Sequence, residues 1–237
     1  MKIFSFIRRQ MISNQKFGKY LVYAIGEIIL LVIGILIALQ VNNWNDKKFS
    51  QHQVVETYQQ IKRQILADFK EVSDVKNLNQ NYSRQFEKAI AMISRKNPLS
   101  VDTLAYFAMQ LSQYSDFNGN GNIYESLVSS GDIKLIDNKI VAAELQRLET
   151  TYSLMNKLED IHWEVIMKEL SPTLKGVVRY ADMQVMQPEK LYSVELQNIF
   201  IESFYLTKGK DSIYERALNE MEAIIKIIDA ELEQEGK

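Results

Sequence analysis

The sequence contains no cysteine, only two histidines and only three prolines among its 237 residues. Without cysteine, a disulfide framework and any thiolate-based zinc or redox site are excluded. His52 and His162 are isolated, with no second ligand at a metal-binding spacing, so we expect packing or surface roles for both. No nucleophile elbow, glycine-rich phosphate loop or paired-carboxylate motif is present either. The sequence therefore predicts no enzymatic activity and no cofactor.

Basic residues without acidic neighbours are concentrated at the start of the chain. Residues 1–20 carry five basic side chains and no acidic one, which leaves 23 basic and 30 acidic residues in the remainder. A nucleic-acid-binding domain needs a basic face on its folded part, so we expect no nucleic-acid partner. A short basic segment before an apolar one is instead typical of a membrane topology signal.

The apolar segment from Leu21 to Leu39 has 19 residues and predicts a membrane-spanning helix. Such a helix is about 28 Å long, close to the thickness of the hydrocarbon core of a lipid bilayer. A cleaved signal peptide would have a shorter apolar core and a small-x-small cleavage site, whereas "LQVNNWN" follows here. We therefore predict an uncleaved span over residues 21–41 in the inner membrane, with residues 1–20 cytoplasmic and residues 42–237 periplasmic. Trp44 is predicted to lie at the membrane interface.

The first segment, residues 1–20, allows two interpretations. Ile3, Phe4, Ile7 and Met11 fall on one helical face with arginines beside it, which predicts an amphipathic helix on the anionic inner leaflet. The alternative is a basic tail that only sets the topology.

The body of the chain has a helical apolar pattern throughout. Apolar residues recur every seven positions from Tyr58 to Ile93, with Asp68 and Asn79 as interruptions, which predicts a long helix in a bundle or coiled coil. This helix is expected to continue from the membrane helix, because no strong breaker separates them. Further helices are predicted at about 101–112, 123–131 with Gly131 as C-cap, 139–170, 193–206 and 211–234, with an irregular stretch at 173–193. Pro98 and Pro172 are expected to end the helices before them. The predicted fold class is all-α: one N-terminal transmembrane helix followed by an extracytoplasmic, coiled-coil-like bundle of long helices.

The stretch "YAIGEIILLVIGILIALQVNNWN" at 23–45 closely resembles the N-terminal signature of an uncharacterised family of bacterial membrane proteins. That family is defined by a domain of unknown function that is common in Bacteroidota. The similarity continues in "YESLVSSGDIKLIDN" at 124–138 and, loosely, in "LQNIFIESFYL" at 196–206. The resemblance implies an inner-membrane protein with one N-terminal span. It implies no activity and transfers no catalytic residue.

The loop "DFNGNGNI" at 116–123 matches the first eight positions of a calcium-binding EF-hand loop, with Asp116, Asn118, Asn120 and Asn122 as candidate ligands. The position that should supply a bidentate glutamate is Leu127. Asn- and Gly-rich loops also occur for turn geometry alone, so this remains a weak candidate metal site, and the prediction is no bound metal.

Glu27 lies inside the apolar run, where an ionisable group is expensive. A span that began after it would be only about 18 Å long, too short to cross. At 100° per residue, Glu27 shares a face with Gly34 and Ala38, whose small side chains allow close helix approach. We predict a helix contact face formed by Tyr23, Glu27, Leu31, Gly34 and Ala38. The alternative is a protonated Glu27 near the inner interface, hydrogen-bonded locally and without function.

These features predict a membrane-anchored helical interaction or scaffold protein, embedded in the lipid bilayer as a homo-oligomer or with a membrane-protein partner. About 20 cytoplasmic residues leave no room for an effector domain there. Two alternatives stay open. One is a stator-like subunit that is coupled to an ion-motive force through Glu27. The other is an extracytoplasmic ligand sensor that acts through a partner.

Overall fold

The computed structural model describes residues 17–95, 101–117 and 122–235. Residues 1–16 of the predicted amphipathic segment lie outside the described residues, and so does Pro98. The chain divides into two compact units, Met1–Gln53 and Val54–Lys237. Nearly all described residues are helical, as predicted. The helices in chain order are α1 (Phe17–Arg95), α2 (Val101–Gln110), α3 (Ile123–Ser130), α4 (Lys139–Val165), α5 (Ser171–Lys175) and α6 (Val194–Glu235).

The first unit contains the apolar part of α1. Every large apolar side chain from Leu21 to Val41 is exposed. By length and composition, this is a helix that is long and apolar enough to cross a membrane. The predicted span is therefore present as a helix whose apolar surface is not covered by any described part of the protein.

The second unit is built on three long helices: the part of α1 after Gln53, α4 and α6. Lys62 of α1 forms an ion pair with Asp229 of α6 at 2.5 Å. Further along α1, Lys76 forms an ion pair with Glu215. Because residue numbers rise along α1 as they fall along α6, these two helices are antiparallel.

Helix α4 runs alongside both of the others. The Thr151 hydroxyl donates to Glu220 of α6 at 2.7 Å, and the Tyr214 hydroxyl of α6 donates to Glu159 at 2.5 Å. The order of these contacts makes α4 antiparallel to α6, and hence parallel to α1.

Two apolar clusters fill the interior of this unit, and each takes half of the predicted inner face of α1. The Val72 cluster includes Tyr58, Ile61, Ile65 and Val72, together with the buried residues of α4 up to Met155 and of α6 from Tyr214 onward. The Phe86 cluster includes Tyr82, Phe86, Ala89 and Ile93, together with the buried residues of α2 and Phe200 of α6. All eight of these α1 residues are buried, which confirms the apolar face predicted from the seven-residue repeat.

The short helix α3 ends as predicted. Gly131 follows it with φ of 85°, and its N–H donates to the Val128 carbonyl. This left-handed conformation suits glycine, which has no Cβ to clash. A 3₁₀ turn, Asp132–Leu135, then leads to α4, whose first turn is capped by the Asn138 side chain accepting from the Ile140 N–H at 2.9 Å.

Pro172 does not end the helix before it, so this prediction was wrong. The helical path continues from α4 through a π-helical turn, Ile166–Leu170, into α5. A proline has no N–H, and its ring clashes with the carbonyl four residues earlier in a regular α-helix. The wider π turn changes the backbone spacing just before the proline, which then lies in the first turn of α5, where proline is tolerated.

The stretch predicted to be irregular, 173–193, contains a small hairpin and a 3₁₀ turn, Pro188–Tyr192. Strands β1 (Val178–Arg179) and β2 (Gln184–Val185) pair antiparallel. The Arg179 guanidinium donates to Asp182 in the connecting turn at 2.9 Å. The strict all-α prediction was therefore incomplete, because two-residue strands are too short to produce an alternating sequence pattern.

The two predicted final helices are one helix, α6, so the predicted break near Gly209 was wrong. The residues between the two predicted helices, 207–210, are polar apart from Gly209. In the structure, Thr207 and Lys210 are buried, at 0% and 1% exposure. Polar side chains thus continue the inner face of α6 through this region, and the helix stays packed.

Candidate functional site: a buried polar layer

The two apolar clusters are separated by a layer of buried polar side chains. Some buried polar residues, such as Asp68, Thr151 and Glu220, lie among the residues of the Val72 cluster on their helices. On each long helix of the second unit, others lie between the residues of the Val72 cluster and those of the Phe86 cluster. We call this set the polar layer. Its members are Asn79 of α1, Ser115 before α3, Glu159 and His162 of α4, and Thr207, Lys210 and Tyr214 of α6.

Asn79 connects α1 to the rest of the layer. Its side-chain amide donates to the Thr207 carbonyl on α6 at 2.7 Å. Its side-chain oxygen accepts from the Ser115 hydroxyl at 3.1 Å. Asn79, which interrupts the apolar repeat, therefore forms specific hydrogen bonds with two other segments of the chain.

Glu159 and Lys210 hold the backbone of the segment Ser115–Phe117. One carboxylate oxygen of Glu159 accepts from the Phe117 N–H at 3.1 Å and from the Tyr214 hydroxyl. The Lys210 ammonium donates to the Ser115 carbonyl at 2.8 Å. Side chains from all three long helices thus converge on this segment, which connects α2 to α3.

Burial shifts the proton affinities of both charged groups. It raises the pKa of the Glu159 carboxyl to about 7, although the Tyr214 hydroxyl and the Lys210 charge oppose the rise. It lowers the pKa of the Lys210 ammonium to about 8, although the charges of Glu159 and Asp116 oppose this shift. Both shifts are towards neutral pH, because each group loses its hydration in the interior.

His162 lies one turn beyond Glu159 and is completely buried. Its ring contacts Phe86 at a centroid distance of 6.1 Å and Tyr114 at 6.2 Å. Within the described residues, neither ring nitrogen has a hydrogen-bond partner, and the second carboxylate oxygen of Glu159 has none. Burial, assisted by the Lys210 charge, lowers the pKa of His162 to about 3, so the imidazole is neutral at physiological pH. Of the two roles expected for this histidine, packing or surface, its burial agrees with packing.

The Glu-x-x-His spacing of Glu159 and His162 also occurs where metal ions are held inside helical bundles. Here the Lys210 ammonium already provides a positive charge that interacts with Glu159, and a cation at this point opposes metal binding. Among the residues that the structure describes, no group of three or more His, Asp or Glu side chains is placed to hold a metal ion. The chemistry of the layer is that of proton binding and backbone hydrogen bonding.

The residues predicted to form the membrane contact face are all exposed on α1. A Cβ added at Gly34 would meet no neighbouring group within 4 Å, so there is space at this position for another helix. Trp44 is 60% exposed, and the Lys48 ammonium lies 4.0 Å from the centre of its ring. The contact face and the interfacial role of Trp44 remain predictions.

The candidate calcium loop lies only partly within the described residues, because Asn118 and Asn120 fall outside them. Asp116 is half-buried and accepts from the Tyr114 hydroxyl at 3.4 Å. The Asn122 side chain makes no capping hydrogen bond to α3. Leu127, at the position of the missing glutamate, packs against the Val72 cluster. A core-facing leucine at that position gives a calcium ion no bidentate ligand.

An open groove of about 640 Å³ lies between α1 and α3. Gln60 and Gln64 of α1 and Ser126 of α3 give it polar groups, and Ile61 and Leu127 give it an apolar surface. The α3 wall of the groove follows closely in sequence on the segment that the polar layer holds.

Sequence reasoning missed Glu159, Lys210 and Tyr214 as members of a site. One signal was available, because Asp68 and Asn79 interrupted the apolar repeat of α1. Both are buried, and Asp68 accepts from the Tyr152 hydroxyl at 3.0 Å. A buried polar residue requires a polar partner. Asp68 and Asn79 therefore indicated polar contacts between helices, although the sequence did not show which residues were their partners.

Comparison with known proteins gives a family but no activity. The model of a family described as "Family of unknown function (DUF6090)" matches residues 27–169. Nuclear segregation protein BFR1 of Saccharomyces cerevisiae is 28% identical over 123 residues, which cover 50% of this chain and 26% of that protein. The chain thus spans about a quarter of the length of this curated relative, and the similarity transfers no role. No solved structure matches the chain at a significant level.

Proposed function

We propose, on the premise that this chain belongs to the DUF6090 family of unknown function, that it is a membrane-anchored helical interaction protein. In this proposal residues 21–41 span the inner membrane, residues 1–20 lie in the cytoplasm, and residues 42–237 form a periplasmic body that binds a partner protein or an envelope component. The main support for this proposal is the apolar segment of α1.

One observation supports the anchor most directly. Apart from Glu27 and Gln40, the side chains from Leu21 to Val41 are apolar around the whole circumference of α1, and all the large apolar ones are exposed. A helix with one apolar stripe packs on a protein core, whereas a helix that is apolar on every side requires an apolar surrounding. A bilayer provides that surrounding over the length of this segment.

The body supports a binding role more than a catalytic one. Its groove between α1 and α3 presents amide and hydroxyl groups beside the apolar side chains of Ile61 and Leu127. Such a mixture suits the backbone and side chains of a partner segment. The polar layer lies in the interior, where it holds the backbone that leads to α3.

We expect a C-terminal fusion of the full-length chain to report a periplasmic body. A phosphatase that is active only outside the cytoplasm should be active when it is fused after Lys237, because five basic residues before Leu21 retain the N-terminus inside. A fluorescent protein that matures only in the cytoplasm should be dark at the same position. Replacing the five basic residues by glutamine should weaken this preference. A bright fluorescent fusion with an inactive phosphatase would contradict the proposed orientation.

The contact face predicted on α1 gives a second test. Because the chain has no native cysteine, single cysteines at positions 23–41 can report which side of α1 meets another helix. We expect crosslinking between copies, or to a partner, with a helical period centred on Glu27, Gly34 and Ala38. Gly34→Leu should reduce crosslinking by about tenfold, because a bulky side chain prevents close approach, whereas Ile33→Leu on another face should not.

The stator-like alternative is favoured by the exposed carboxylate of Glu27 within the apolar run. Glu27→Gln distinguishes the two proposals because glutamine still forms hydrogen bonds but cannot release a proton. Unchanged association and unchanged cellular function would support the structural role. Unchanged association with lost function would support proton transfer. Crosslinking without a helical period, or with a maximum opposite Glu27, would contradict the contact face.

A further inference from the structure

The segment Ser115–Phe117 is held by the body in a way that couples it to two titrating groups. Its first carbonyl accepts from Lys210, its last N–H donates to Glu159, and both of these side chains are about 98% buried or more. The segment cannot leave this position without breaking both contacts. Its departure would remove the backbone partner of each charged group.

We propose that release of the segment Ser115–Phe117 is linked to the protonation of Glu159 and Lys210, the two side chains that contact its ends. Glu159 is then a proton-binding site of the folded body. Acid and alkali both strengthen the hold on the segment. The ligand of the site is the proton itself.

The acid side of this dependence follows from Glu159. In the closed state burial holds its pKa at about 7, above the ordinary value of 4.5. When the segment leaves, the hydrated carboxyl returns towards that ordinary value, so opening below pH 7 must release a proton. Lower pH therefore opposes opening until the ordinary value is reached. Above pH 7 the carboxylate is ionised in both states, and this resistance to opening disappears.

The dependence at alkaline pH follows from Lys210, whose pKa is shifted in the opposite direction. Its pKa in the closed state is about 8, below the ordinary value of 10.5. When the segment leaves, the hydrated amine regains its ordinary proton affinity, so opening above pH 8 must take up a proton. Higher pH therefore opposes opening. Between about pH 7 and pH 8 both groups are charged in the closed state, so neither change of protonation opposes opening there.

Other groups face this pair from every neighbouring element, and none of the shifts resolved among them adds a titration near neutral pH. On α4, His162 is neutral because burial lowers its pKa to about 3. On α6, burial raises the pKa of Tyr214, and before α3, burial raises the pKa of Tyr114. The Asp116 carboxylate raises the pKa of both members of the pair. Helix α1 contributes the uncharged amide of Asn79.

The consequence for binding concerns α3. The chain passes from Phe117 to the start of α3 at Ile123 within six residues, and α3 forms one wall of the groove. Release of the segment frees the chain that enters this wall. A partner that binds the groove in its closed form is therefore expected to bind more tightly as Glu159 takes up its proton, because protonation strengthens the hold on the segment. This step rests on the proposed binding role, whereas the proton linkage itself does not.

The test is pulsed hydrogen exchange of the full-length chain in detergent micelles at pH 5.5, 7.5 and 9.0. Exchange is corrected for the chemical rate at each pH and followed for peptides that contain Ser115–Phe117. Protection should be lowest at pH 7.5 and about tenfold higher at pH 5.5 and at pH 9.0, given the linkage to Glu159 and Lys210. Peptides from Ala217–Ile228 in the Val72 cluster correct for global unfolding. If the protection of the segment Ser115–Phe117 changed with pH in the same way as the protection of Ala217–Ile228, the proposal would be overturned.

Variants separate the two sides of the profile. Glu159→Gln should remove the increase in protection at pH 5.5, because glutamine accepts the hydrogen bond from the Phe117 N–H but binds no proton. Lys210→Met should remove the increase at pH 9.0. Glu164→Gln, an exposed change on the same helix, should leave the profile unchanged. If a variant does not fold, the profile of the unmodified chain still decides, since a monotonic or flat profile excludes the linkage.

Discussion

Lys210→Met is expected to lower the free energy of unfolding of the body, residues 54–237, by about 3 kcal/mol at pH 8. Methionine fills a similar volume, but it cannot donate to the Ser115 carbonyl or compensate the charge of Glu159. The loss should be clearly smaller at pH 6, where Glu159 is mostly protonated and needs no counter-charge. Urea denaturation at the two pH values measures both quantities.

Two controls isolate the polar layer as the cause. Lys208→Met, two positions away on the exposed side of α6, should change the free energy of unfolding by less than about 0.5 kcal/mol. The double variant Glu159→Gln, Lys210→Met should recover part of the loss at pH 8, because the uncompensated charge is gone. Equal losses at pH 6 and pH 8, with no recovery in the double variant, would show that Lys210 does not act through Glu159.

Phe86→Ala is expected to cost about 4 kcal/mol of unfolding free energy. Phe86 is completely buried, and its ring contacts Phe200 at a centroid distance of 5.8 Å and His162 at 6.1 Å. Removing it leaves a cavity at the edge of the polar layer, where three helices meet and cannot collapse freely. Urea denaturation at pH 7 of the same body measures the effect.

Leu78→Ala is the matched control for Phe86→Ala, because Leu78 lies on the same helix and is 42% exposed. We expect a loss below about 1 kcal/mol for this change. A loss at Phe86 no greater than that at Leu78 would contradict the assignment of Phe86 to the core.

The elements with long, regular patterns were the ones that the sequence could predict. The seven-residue repeat of α1 identified its buried face from Tyr58 to Ile93, since the apolar side chains on that face all pack against the interior. Gly131 identified the end of α3 because its left-handed backbone conformation is a local property. Such features depend on spacing and backbone geometry alone, both of which are readable in the chain.

The errors have the opposite origin, since they depend on partners that are distant in sequence. Lys210 suggests solvent exposure, yet it is buried because the Ser115 carbonyl, 95 residues earlier, accepts its hydrogen bond. That tertiary contact keeps α6 continuous where local propensity favoured a break at Gly209. Pro172 is a local signal that was overridden by the π turn before it. The convergence of Glu159 and Lys210 on one segment could not be inferred without the helix directions.

The position of the polar layer between two apolar clusters also fixes how the three long helices align along their length. Apolar side chains are largely interchangeable, so helices with a uniform seven-residue repeat can slide past one another by one repeat and still bury similar surface. In this body such a slip would move Asn79 away from Thr207 and set Glu159 against aliphatic neighbours. Each misaligned arrangement would strand a polar group in an apolar interior. The hydrogen bonds of the polar layer therefore favour one register of α1, α4 and α6 over the alternatives.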